Sequence, residues 1–332
     1  MRMISVSKFQ YLKIAIIAIA SVVLIVCAFL GLSHWEKNRG AFSEQEFGNE
    51  SITYNGEEYI LKGNLETFLV IGLDKTDRDD SLESYNNDMQ ADFVMLFVFD
   101  NDTKQCTALQ INRDTMTDVN ILGVAGNKID TQTKQIALSH TYGNGKDVSC
   151  RNTADSVSAL LHGMKVNHYA SITMDAVSVF NDLVGGVEVV VLDDFTGIDA
   201  SLVKDTTVKL SGKQALTYVQ SRQGLEDSSN STRMKRQQQY VKALYESFEK
   251  AADNDSNFIA DAAVKMSDYM VSDRSVNQLQ SLADKFKEYE FLGIKNIDGK
   301  FGQGERFMEF YPDDKSLEKI IVELFYNKKQ PE

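Results

Sequence analysis

Proline, cysteine and histidine are all scarce in this chain of 332 residues, which has 2, 3 and 4 of them respectively. The chain also has no low-complexity tract and no internal repeat. Because 43 % of the residues are apolar, these absences exclude a proline-rich or disordered protein. They indicate one large globular domain, or one such domain with small additions.

The few cysteines and histidines exclude two kinds of site. The chain has no CxxC motif and no cysteine and histidine spacing typical of zinc, and it has no Ser/His/Asp pattern typical of hydrolases. His140, in "SHTYGNG", either lines a site or is a structural histidine. Cys27 lies in an apolar run, whereas Cys106 and Cys150 either form a disulfide in an oxidising compartment or are two buried thiols.

Basic residues are outnumbered, since 35 Lys and Arg face 48 Asp and Glu. Residues 1–39 hold five bases and one acid, so the rest of the chain carries a net charge of −17, compared with −13 for the whole. So acidic a chain is a poor binder of nucleic acid, whose phosphates are met by Lys and Arg. An anionic ligand would need a local basic cluster or a metal ion.

One long run without a charge, "IAIIAIASVVLIVCAFLGL", extends from Ile14 to Leu32. As a helix its 19 residues would measure about 28 Å, which matches a hydrocarbon core of about 30 Å. The run is longer than the apolar part of a cleaved signal peptide, and Trp35 follows where an interfacial aromatic would sit. We therefore expect one transmembrane helix with a cytoplasmic N-terminus and the rest of the protein outside the cytoplasm.

Strand-like and helix-like segments alternate along the rest of the chain, which predicts an α/β fold with a central mixed β-sheet sandwiched by helices. Asn55-Gly56 between β-prone residues predicts a hairpin. Helix caps are expected at Asn152 or Thr153. Strands are predicted at 67–74, 91–100, 106–112, 168–174 and 187–192, of which the first two are expected to be buried. Helices are predicted at 153–164, 175–184, 212–222, 233–250, 256–270, 275–288 and 315–326.

Ionisable side chains stand at the ends of several of these elements. The apolar strand in "LQINRDTM" continues directly into Arg113 and Asp114. Loops at the carboxyl ends of strands in α/β sheets are where ligands bind, so we interpret Arg113 as a phosphate contact, with a salt bridge to an acid such as Asp92 as the alternative. The other candidates are Asp74 at a strand end, and Arg222, Arg233, Arg236 and Gln237 around a turn between two helices.

Arg233 and Gln237 are four residues apart and share a helix face, with Arg236 alongside. In so acidic a chain these arginines would form a local cluster of positive charge. With one or two aspartates holding a divalent cation, this cluster would suit a diphosphate, because arginine binds phosphate oxygens in pairs. Each residue taken alone has an ordinary alternative, as a cap, a turn residue or a solvated helix face.

Seven stretches strengthen this interpretation: "FLVIGLD", "ADFVMLFVF", "LQINRDT", "SHTYGNG", "LVGGVEVVV", "LSGKQALTYVQSR" and "RMKRQQQ". Their order and spacing across residues 66–250 resemble the LytR-CpsA-Psr (LCP) family. The preceding apolar run and hairpin fit this resemblance, as does the tail "YPDDKSLEKIIVELF".

The resemblance implies an LCP-like α-β-α fold and a division of the chain into five parts. These are a short cytoplasmic tail (1–13), a transmembrane helix (14–32), an extracytoplasmic stalk and β-hairpin (33–65), a catalytic domain (66–250) and a C-terminal helical extension packed on that domain (251–332).

The resemblance also implies an activity: a membrane-anchored phosphotransferase on the outer face of the cell membrane. Such an enzyme moves an anionic glycopolymer, of the teichoic acid or capsular polysaccharide type, from a polyprenyl-pyrophosphate carrier to peptidoglycan with Mg²⁺ as cofactor. The lipid would occupy an apolar groove with the pyrophosphate at its mouth. The implied partners are the lipid-linked glycopolymer, peptidoglycan and the membrane, and nucleic acid is not among them.

Roles follow position by position from the same resemblance. Asp74 and Asp92 correspond to metal-associated aspartates, and Arg113 to the arginine of the family's "PRD" motif. The expected catalytic set is Arg113, Asp114 and Asp92. Asp114 is included because it is adjacent to Arg113, where it would orient Arg113 or help to activate the acceptor hydroxyl. The pyrophosphate ligands are Arg222, Arg233, Gln237, Arg113 and Arg236.

The chain departs from the family pattern at two positions. Gln220 stands where an arginine is usual, and Asn112 replaces the frequent proline before Arg113. Losing one arginine would weaken pyrophosphate binding by about 1.5–3 kcal/mol, unless Arg236, Arg78 or a second cation compensates. Two other functions therefore stay open: a pyrophosphatase on the same donor, and a non-catalytic polyprenyl-phosphate-binding scaffold of the cell envelope.

Overall fold

The computed structural model describes residues 51–75, 87–222, 224–227, 229–255, 269–286, 289–304 and 307–330, together with Phe258, Ala262, Lys265 and Met266. The transmembrane helix predicted for residues 14–32, the tail before it and most of the stalk lie outside these residues. So does Arg78. No helix among the described residues is long and apolar enough to cross a bilayer.

Fifteen strands are present in the described residues, and six of them form a central sheet in the order β11-β8-β3-β4-β5-β12. The fold is mixed α/β with a central mixed sheet, as predicted. The strands are β1 (Ser51–Tyr54), β2 (Glu57–Leu61), β3 (Leu65–Lys75), β4 (Met89–Asp100), β5 (Gln105–Ile111), β6 (Met116–Leu122), β7 (Lys128–Gln135), β8 (His168–Thr173), β9 (Val187–Val190), β10 (Thr207–Leu210), β11 (Met270–Ser272), β12 (Glu290–Asn296), β13 (Gly299–Gln303), β14 (Met308–Pro312) and β15 (Tyr326–Lys328).

Six α-helices and one 3₁₀ helix, Ile136–Thr141, accompany the strands in the described residues. The α-helices are α1 (Asp147–Leu160), α2 (Asp175–Leu183), α3 (Gly212–Gln220), α4 (Asn230–Asn254), α5 (Val276–Phe286) and α6 (Asp314–Phe325).

The chain divides into two compact units. The first, which we call the Asp74 unit, contains Ile71–Lys75 and Ala170–Gly293. The second, the Arg113 unit, contains the described parts of Gly31–Val70, Thr76–Tyr169 and Ile294–Glu332.

The Asp74 unit is held together by two apolar clusters. One joins β9, β10, α3 and α4 around Phe195 and Tyr218, whose rings lie 5.4 Å apart. The other joins α2 to α4 through Phe180 and Phe248, whose rings stack at 5.8 Å. At its start, α3 approaches α2 closely, since Gly212 N donates to Asp182 Oδ1 at 2.7 Å. These contacts fix α4, which carries Arg233, Arg236 and Gln237, and α3, whose end leads into Arg222.

The core of the Arg113 unit is the antiparallel pair β4 and β5, whose register places Val94 opposite Ile111 and Phe99 opposite Cys106. Both strands are buried almost throughout, as their continuous apolar runs predict. Cys106 and Cys150 are two buried thiols, so the second of the two alternatives for them is the one observed. Burial raises the pKa of the Cys106 thiol.

The predicted β1–β2 hairpin is confirmed, with Asn55 and Gly56 at positive φ values of 51° and 79°. Positive φ at both central residues is what a type I′ turn requires. The expected cap at Asn152 or Thr153 is wrong, because α1 begins at Asp147 and both residues are buried inside the helix. Asn152 Nδ2 instead donates to the carbonyls of Asn120 and Ser139.

Residues 251–332 contain more than the predicted helices. Helices α5 and α6 lie where they are expected, but five short strands, β11 to β15, occupy the same stretch. Strand β15 pairs with β2 of the N-terminal hairpin, with Tyr326 opposite Leu61.

Candidate functional site

The Arg113 side chain lies just beyond β5 and contacts two residues of β4. Its guanidinium donates to Asp92 Oδ1 and to Gln90 Oε1. Gln90 and Asp92 are two residues apart on a strand, so their side chains project from the same face. Arg113 Nε lies 3.4 Å from Asp114 Oδ1, and the Arg113 residue is only 9 % exposed. The ion pair with Asp92 that the sequence offered as the alternative is therefore present.

Asp114 is 5 % exposed, and hydrogen bonds to Asn112 and Gln135 fix its position. Its backbone N donates to Asn112 Oδ1 at 2.9 Å, a local turn that gives Asn112 a role at the position where proline is usual. Gln135 Nε2 donates to Asp114 Oδ1 at 3.2 Å and to Met308 O at 2.7 Å. The carboxylate is thus held in one orientation beside the guanidinium of Arg113.

His140 is a buried structural residue behind this cluster. Its Nδ1 lies 3.1 Å from Met89 O and its Nε2 lies 3.7 Å from Cys150 Sγ. Burial lowers the pKa of His140 to about 4, because the charged imidazolium would lose its hydration. His140 is therefore neutral near pH 7, and of its two interpretations the structure supports the structural one.

In the Asp74 unit, Asp74 stands near the end of β3 and accepts a hydrogen bond at its Oδ2 from Gln220 Nε2 at 2.5 Å. Gln220 is the last residue of α3, and Arg222 follows it by two positions and is half-buried. The departure from the family pattern therefore has a structural consequence. The side chain that approaches Asp74 from position 220 is a neutral amide instead of a guanidinium.

Helix α4 carries the remaining candidates close to its N-terminus. Arg233 is 2 % exposed, and its Nη2 donates to Asn230 Oδ1 at 2.5 Å. Gln237 Nε2 donates to Val219 O at 3.3 Å. Arg236, which shares this helix, is fully buried and donates to Asp193 Oδ2, to Tyr218 O at 2.9 Å and to Ser221 O.

The structure thus assembles two groups of predicted residues, one in each unit. In the Arg113 unit, Arg113 contacts both Asp92 and Asp114. In the Asp74 unit, Asp74 is linked by Gln220 to the end of α3, and Gln237 and Arg236 bond to backbone carbonyls of the same segment. Their predicted roles towards a ligand stay predictions.

The sequence did not reveal Gln90, Gln135 and Asn230 as partners of the candidates. The alternation of side chains along a strand would have revealed Gln90, since it lies two residues before Asp92. Gln135 meets Asp114 across 21 residues of sequence, which no local pattern reports. Asn230 could have been found, because it lies one helical turn before Arg233.

No cluster of three or more His, Cys, Asp or Glu residues able to hold a metal is found in the part of the chain that the structure describes. Carboxylate oxygens are nevertheless of the kind that Mg²⁺ takes as ligands. This ion binds hard oxygen ligands and often takes only one or two carboxylates from the protein, with the rest from phosphates and water. Asp74 and Asp92 each offer a carboxylate in its own unit.

Comparison with known proteins gives two curated relatives. The polyisoprenyl-teichoic acid–peptidoglycan teichoic acid transferase TagU of Enterococcus faecalis is 26 % identical over 279 residues, which cover 82 % of this chain and 82 % of that protein. The cell wall biosynthesis protein LcpA of Corynebacterium glutamicum is 28 % identical over 240 residues, covering 64 % of this chain and 45 % of that protein.

Among solved structures, TagT bound to LIIa-WTA matches with a TM-score of 0.57 at 20 % identity, covering 83 % of this chain and 95 % of TagT. At this identity the likeness shows that the two proteins share a fold. The LytR_cpsA_psr family model matches residues 36–322, which is well over half of the chain. The chain therefore belongs to the LytR_cpsA_psr family.

Proposed function

We propose that the protein is a phosphotransferase that moves an anionic glycopolymer from a polyprenyl-pyrophosphate carrier to peptidoglycan, with Mg²⁺ as its cofactor. Family membership and the two relatives, of which one is named a teichoic acid transferase and the other a cell wall biosynthesis protein, support this assignment. The polymer is of the teichoic acid or capsular polysaccharide type.

The buried Arg113 cluster is the observation that carries the proposal. Its guanidinium is held in one direction by Asp92 and Gln90, while its Nε makes no hydrogen bond in the part of the chain that the structure describes. A cation held rigidly in a poorly hydrated environment stabilises the negative charge that develops on a phosphoryl group. The cation does not have to be reoriented during the reaction to do so. Arginine suits this role because its nitrogens match phosphate oxygens in pairs.

Asp114 is the proposed acceptor of the proton that the peptidoglycan hydroxyl releases. In the transfer, the hydroxyl oxygen forms a bond to the phosphorus that carries the glycopolymer. The bond from that phosphorus to the bridging oxygen breaks, and the lipid monophosphate leaves with the electron pair. Gln135 and Asn112 hold Asp114 in place for this step.

Arg222, Arg233 and Gln237 are the proposed pyrophosphate ligands of the Asp74 unit. They lie at the end of α3 and the beginning of α4, where the backbone is set by the apolar contacts between the two helices. Asp74 and Asp92 are the proposed Mg²⁺ ligands, each within its own unit. A bound Mg²⁺ ion would neutralise charge on the phosphates.

The proposed location is the cell membrane. The apolar run of residues 14–32 would cross the bilayer once, with the N-terminus in the cytoplasm and the catalytic residues outside, where lipid-linked polymer and peptidoglycan meet.

A reconstitution assay tests the proposed function. The full-length protein in liposomes is incubated with a polyprenyl-pyrophosphate glycan, Mg²⁺ and peptidoglycan, and the products are separated by mass. We expect a covalent polymer–peptidoglycan product. Free phosphorylated glycan alone would identify a pyrophosphatase. Binding of the lipid without turnover would identify a scaffold, the alternative that the neutral Gln220 beside Asp74 favours.

Two arginine variants make the assay specific. Arg113→Ala should lower the transfer rate by about 100-fold or more, the usual cost of removing one fixed donor to a developing anion. Arg151→Ala is the matched control, because Arg151 pairs with Asp147 on an exposed surface of α1 and is not part of the cluster. Equal activity of the two variants would refute the proposed role of Arg113.

A further inference from the structure

The segment Tyr218–Arg222, which we call the α3 end, is held by side chains from α4. A helix ends with four carbonyls that lack partners within the helix. Here Arg236 Nε donates to Tyr218 O at 2.9 Å, Arg236 Nη2 donates to Ser221 O, and Gln237 Nε2 donates to Val219 O at 3.3 Å. Two consecutive residues of α4 therefore bind three carbonyls of the α3 end.

All three guanidinium nitrogens of Arg236 donate hydrogen bonds within the protein. Its third guanidinium nitrogen, Nη1, donates to Asp193 Oδ2, and its guanidinium carbon lies 5.2 Å from the centre of the Phe195 ring. The residue is 0 % exposed. To touch a ligand, the guanidinium would have to leave a carboxylate and two carbonyls that it satisfies in the interior, and a buried group left without its partner is costly.

The α3 end carries two side chains to which the proposed function assigns importance. Gln220 donates to Asp74, a proposed Mg²⁺ ligand, and Arg222 is a proposed pyrophosphate ligand. Gln220 lies between Tyr218 and Ser221, and Arg222 directly follows Ser221. A displacement of this short segment therefore moves both side chains, and a shift of about 1 Å in a site can reduce its efficiency by about 100-fold.

We infer that Arg236 is a positioning residue, which fixes the α3 end and through it Gln220, Asp74 and Arg222, and that it makes no contact with pyrophosphate. This inference rests on the proposed function for the roles of Asp74 and Arg222. It replaces the direct contact that the sequence predicted for Arg236.

The test is a mutant cycle with inorganic pyrophosphate and Mg²⁺ as the probe, measured by calorimetry on the full-length protein. Arg236→Gln should weaken binding by about tenfold or more, because the α3 end loses its anchor. In the background Gln220→Ala, Arg222→Ala, the same change should have little further effect, since the residues through which it acts are gone. Equal losses in both backgrounds would show direct contact and overturn the inference.

Gln239→Ala is the matched control. Gln239 is on the same helix and accepts from Tyr218 Oη at 2.6 Å while donating to Val190 O at 2.9 Å, but it does not bond to the carbonyls of the α3 end. Its replacement should leave pyrophosphate binding unchanged. Arg236→Lys serves as a milder variant if Arg236→Gln does not fold, since lysine keeps a charge beside Asp193 but lacks the fork that reaches two carbonyls.

Hydrogen exchange separates failure of this inference from failure of the proposed function. Absence of pyrophosphate binding to the wild type would count against the function alone. The amides of Gln220, Ser221 and Arg222 should then still exchange faster in Arg236→Gln, and not in Gln239→Ala. Unchanged exchange at these amides in both variants would overturn the positioning role.

Discussion

Three arginines in the part of the chain that the structure describes are buried, and the contacts of each one indicate its role. Arg113, Arg233 and Arg236 are each less than 10 % exposed, although arginine is rarely buried without a partner. Carboxylates hold Arg113 and Arg236, and the Asn230 amide contacts Arg233. The two carboxylate-bound arginines differ in one respect. Arg113 Nε makes no hydrogen bond in the described residues and lies 3.4 Å from Asp114 Oδ1, whereas all three nitrogens of Arg236 donate to the protein.

Gln220 is the residue at which the chain can be returned to the usual family pattern. Gln220→Arg places a guanidinium beside Asp74 in place of the amide. We expect pyrophosphate binding without Mg²⁺ to tighten about tenfold, since one more charged donor is available. We also expect Mg²⁺ to bind more weakly, because the ion and the new guanidinium compete for the same carboxylate.

Calorimetric titrations of Mg²⁺ and pyrophosphate on the wild type and the Gln220→Arg variant measure both effects. Lys213→Arg, at an exposed position on the same helix, controls for an added guanidinium in general. Tighter Mg²⁺ binding in Gln220→Arg would contradict the proposed role of Asp74 as a metal ligand.

His140 gives a prediction on the pH dependence of stability. Its pKa is lowered by burial from 6.5 to about 4, so between these pH values the unfolded chain binds a proton that the folded protein does not. The contribution of neutral His140 is complete above pH 6.5 and is lost as the pH falls towards 4. Over this window the free energy of unfolding should fall by about 2–3 kcal/mol from this residue alone.

Urea unfolding at pH 7 and pH 4.5 of the wild type and His140→Gln checks the prediction. Other groups also titrate in this window, so the informative quantity is the difference between the two proteins. The variant should lose less stability on acidification. An identical loss in both proteins would show that His140 does not cause it.

At the scale of elements, the junction between α2 and α3 depends on a residue without a side chain. A Cβ at position 212 would lie 2.4 Å from Ser178 O and 2.6 Å from Asp182 Oδ2. The close approach lets Gly212 N donate to Asp182 and brings the start of α3 onto α2. Position 212 therefore controls the placement of the helix whose end carries Gln220.

Gly212→Ala should destabilise the protein by about 1–3 kcal/mol, the usual cost of overpacking, because backbone atoms cannot move aside cheaply. Thermal and urea unfolding measure the loss. Gly63→Ala is the matched control, since nothing lies within 4 Å of a Cβ at that position and its φ is not positive. Equal stability of Gly212→Ala and the control would show that α2 and α3 can separate without cost.

The sequence predicted some elements and missed others for identifiable reasons. Continuous apolar runs revealed β4 and β5, and the glycine pair at Gly185 and Gly186 marked the end of α2. Strand β7, "KIDTQTKQ", was missed because it is polar and mostly exposed, so it lacks an apolar face. The hairpin of β13 and β14 was missed for a related reason, since β13 contains two glycines and both strands expose much of their surface.

For the whole molecule, net charge would govern the approach of the anionic polymer of the proposed function. Residues 40–332 carry −17, so long-range forces repel a polyanion even though local arginines attract phosphate. The Debye length falls from about 30 Å at 0.01 M salt to about 8 Å at 0.15 M. We therefore expect the association rate of a teichoic-type polymer to rise with salt over this range.

Stopped-flow association of labelled polymer at increasing NaCl concentration measures this effect. A neutral glycan of the same length is the control and should show little dependence on salt. A rate that falls with salt for the polyanion would mean that local basic residues, and not the net charge, dominate the encounter.

The order and spacing of residues along the chain already indicate the chemical types at the site and the positions of most elements around it. Arg113 and Asp114 follow an apolar strand, and Arg233 and Gln237 share a helix face, because period and order along the chain report these facts directly. The family motifs and the apolar run of residues 14–32 are also properties of the sequence alone.

Which side chains contact each other depends on how the chain packs in three dimensions. Arg113 donates to Asp92 and Gln90 on the neighbouring strand, and Arg236 donates to Asp193 and to the α3 end. These contacts join residues 15 to 43 positions apart. Residues so distant in sequence come together only when the sheet and the helices pack, so no local pattern of the chain can report them.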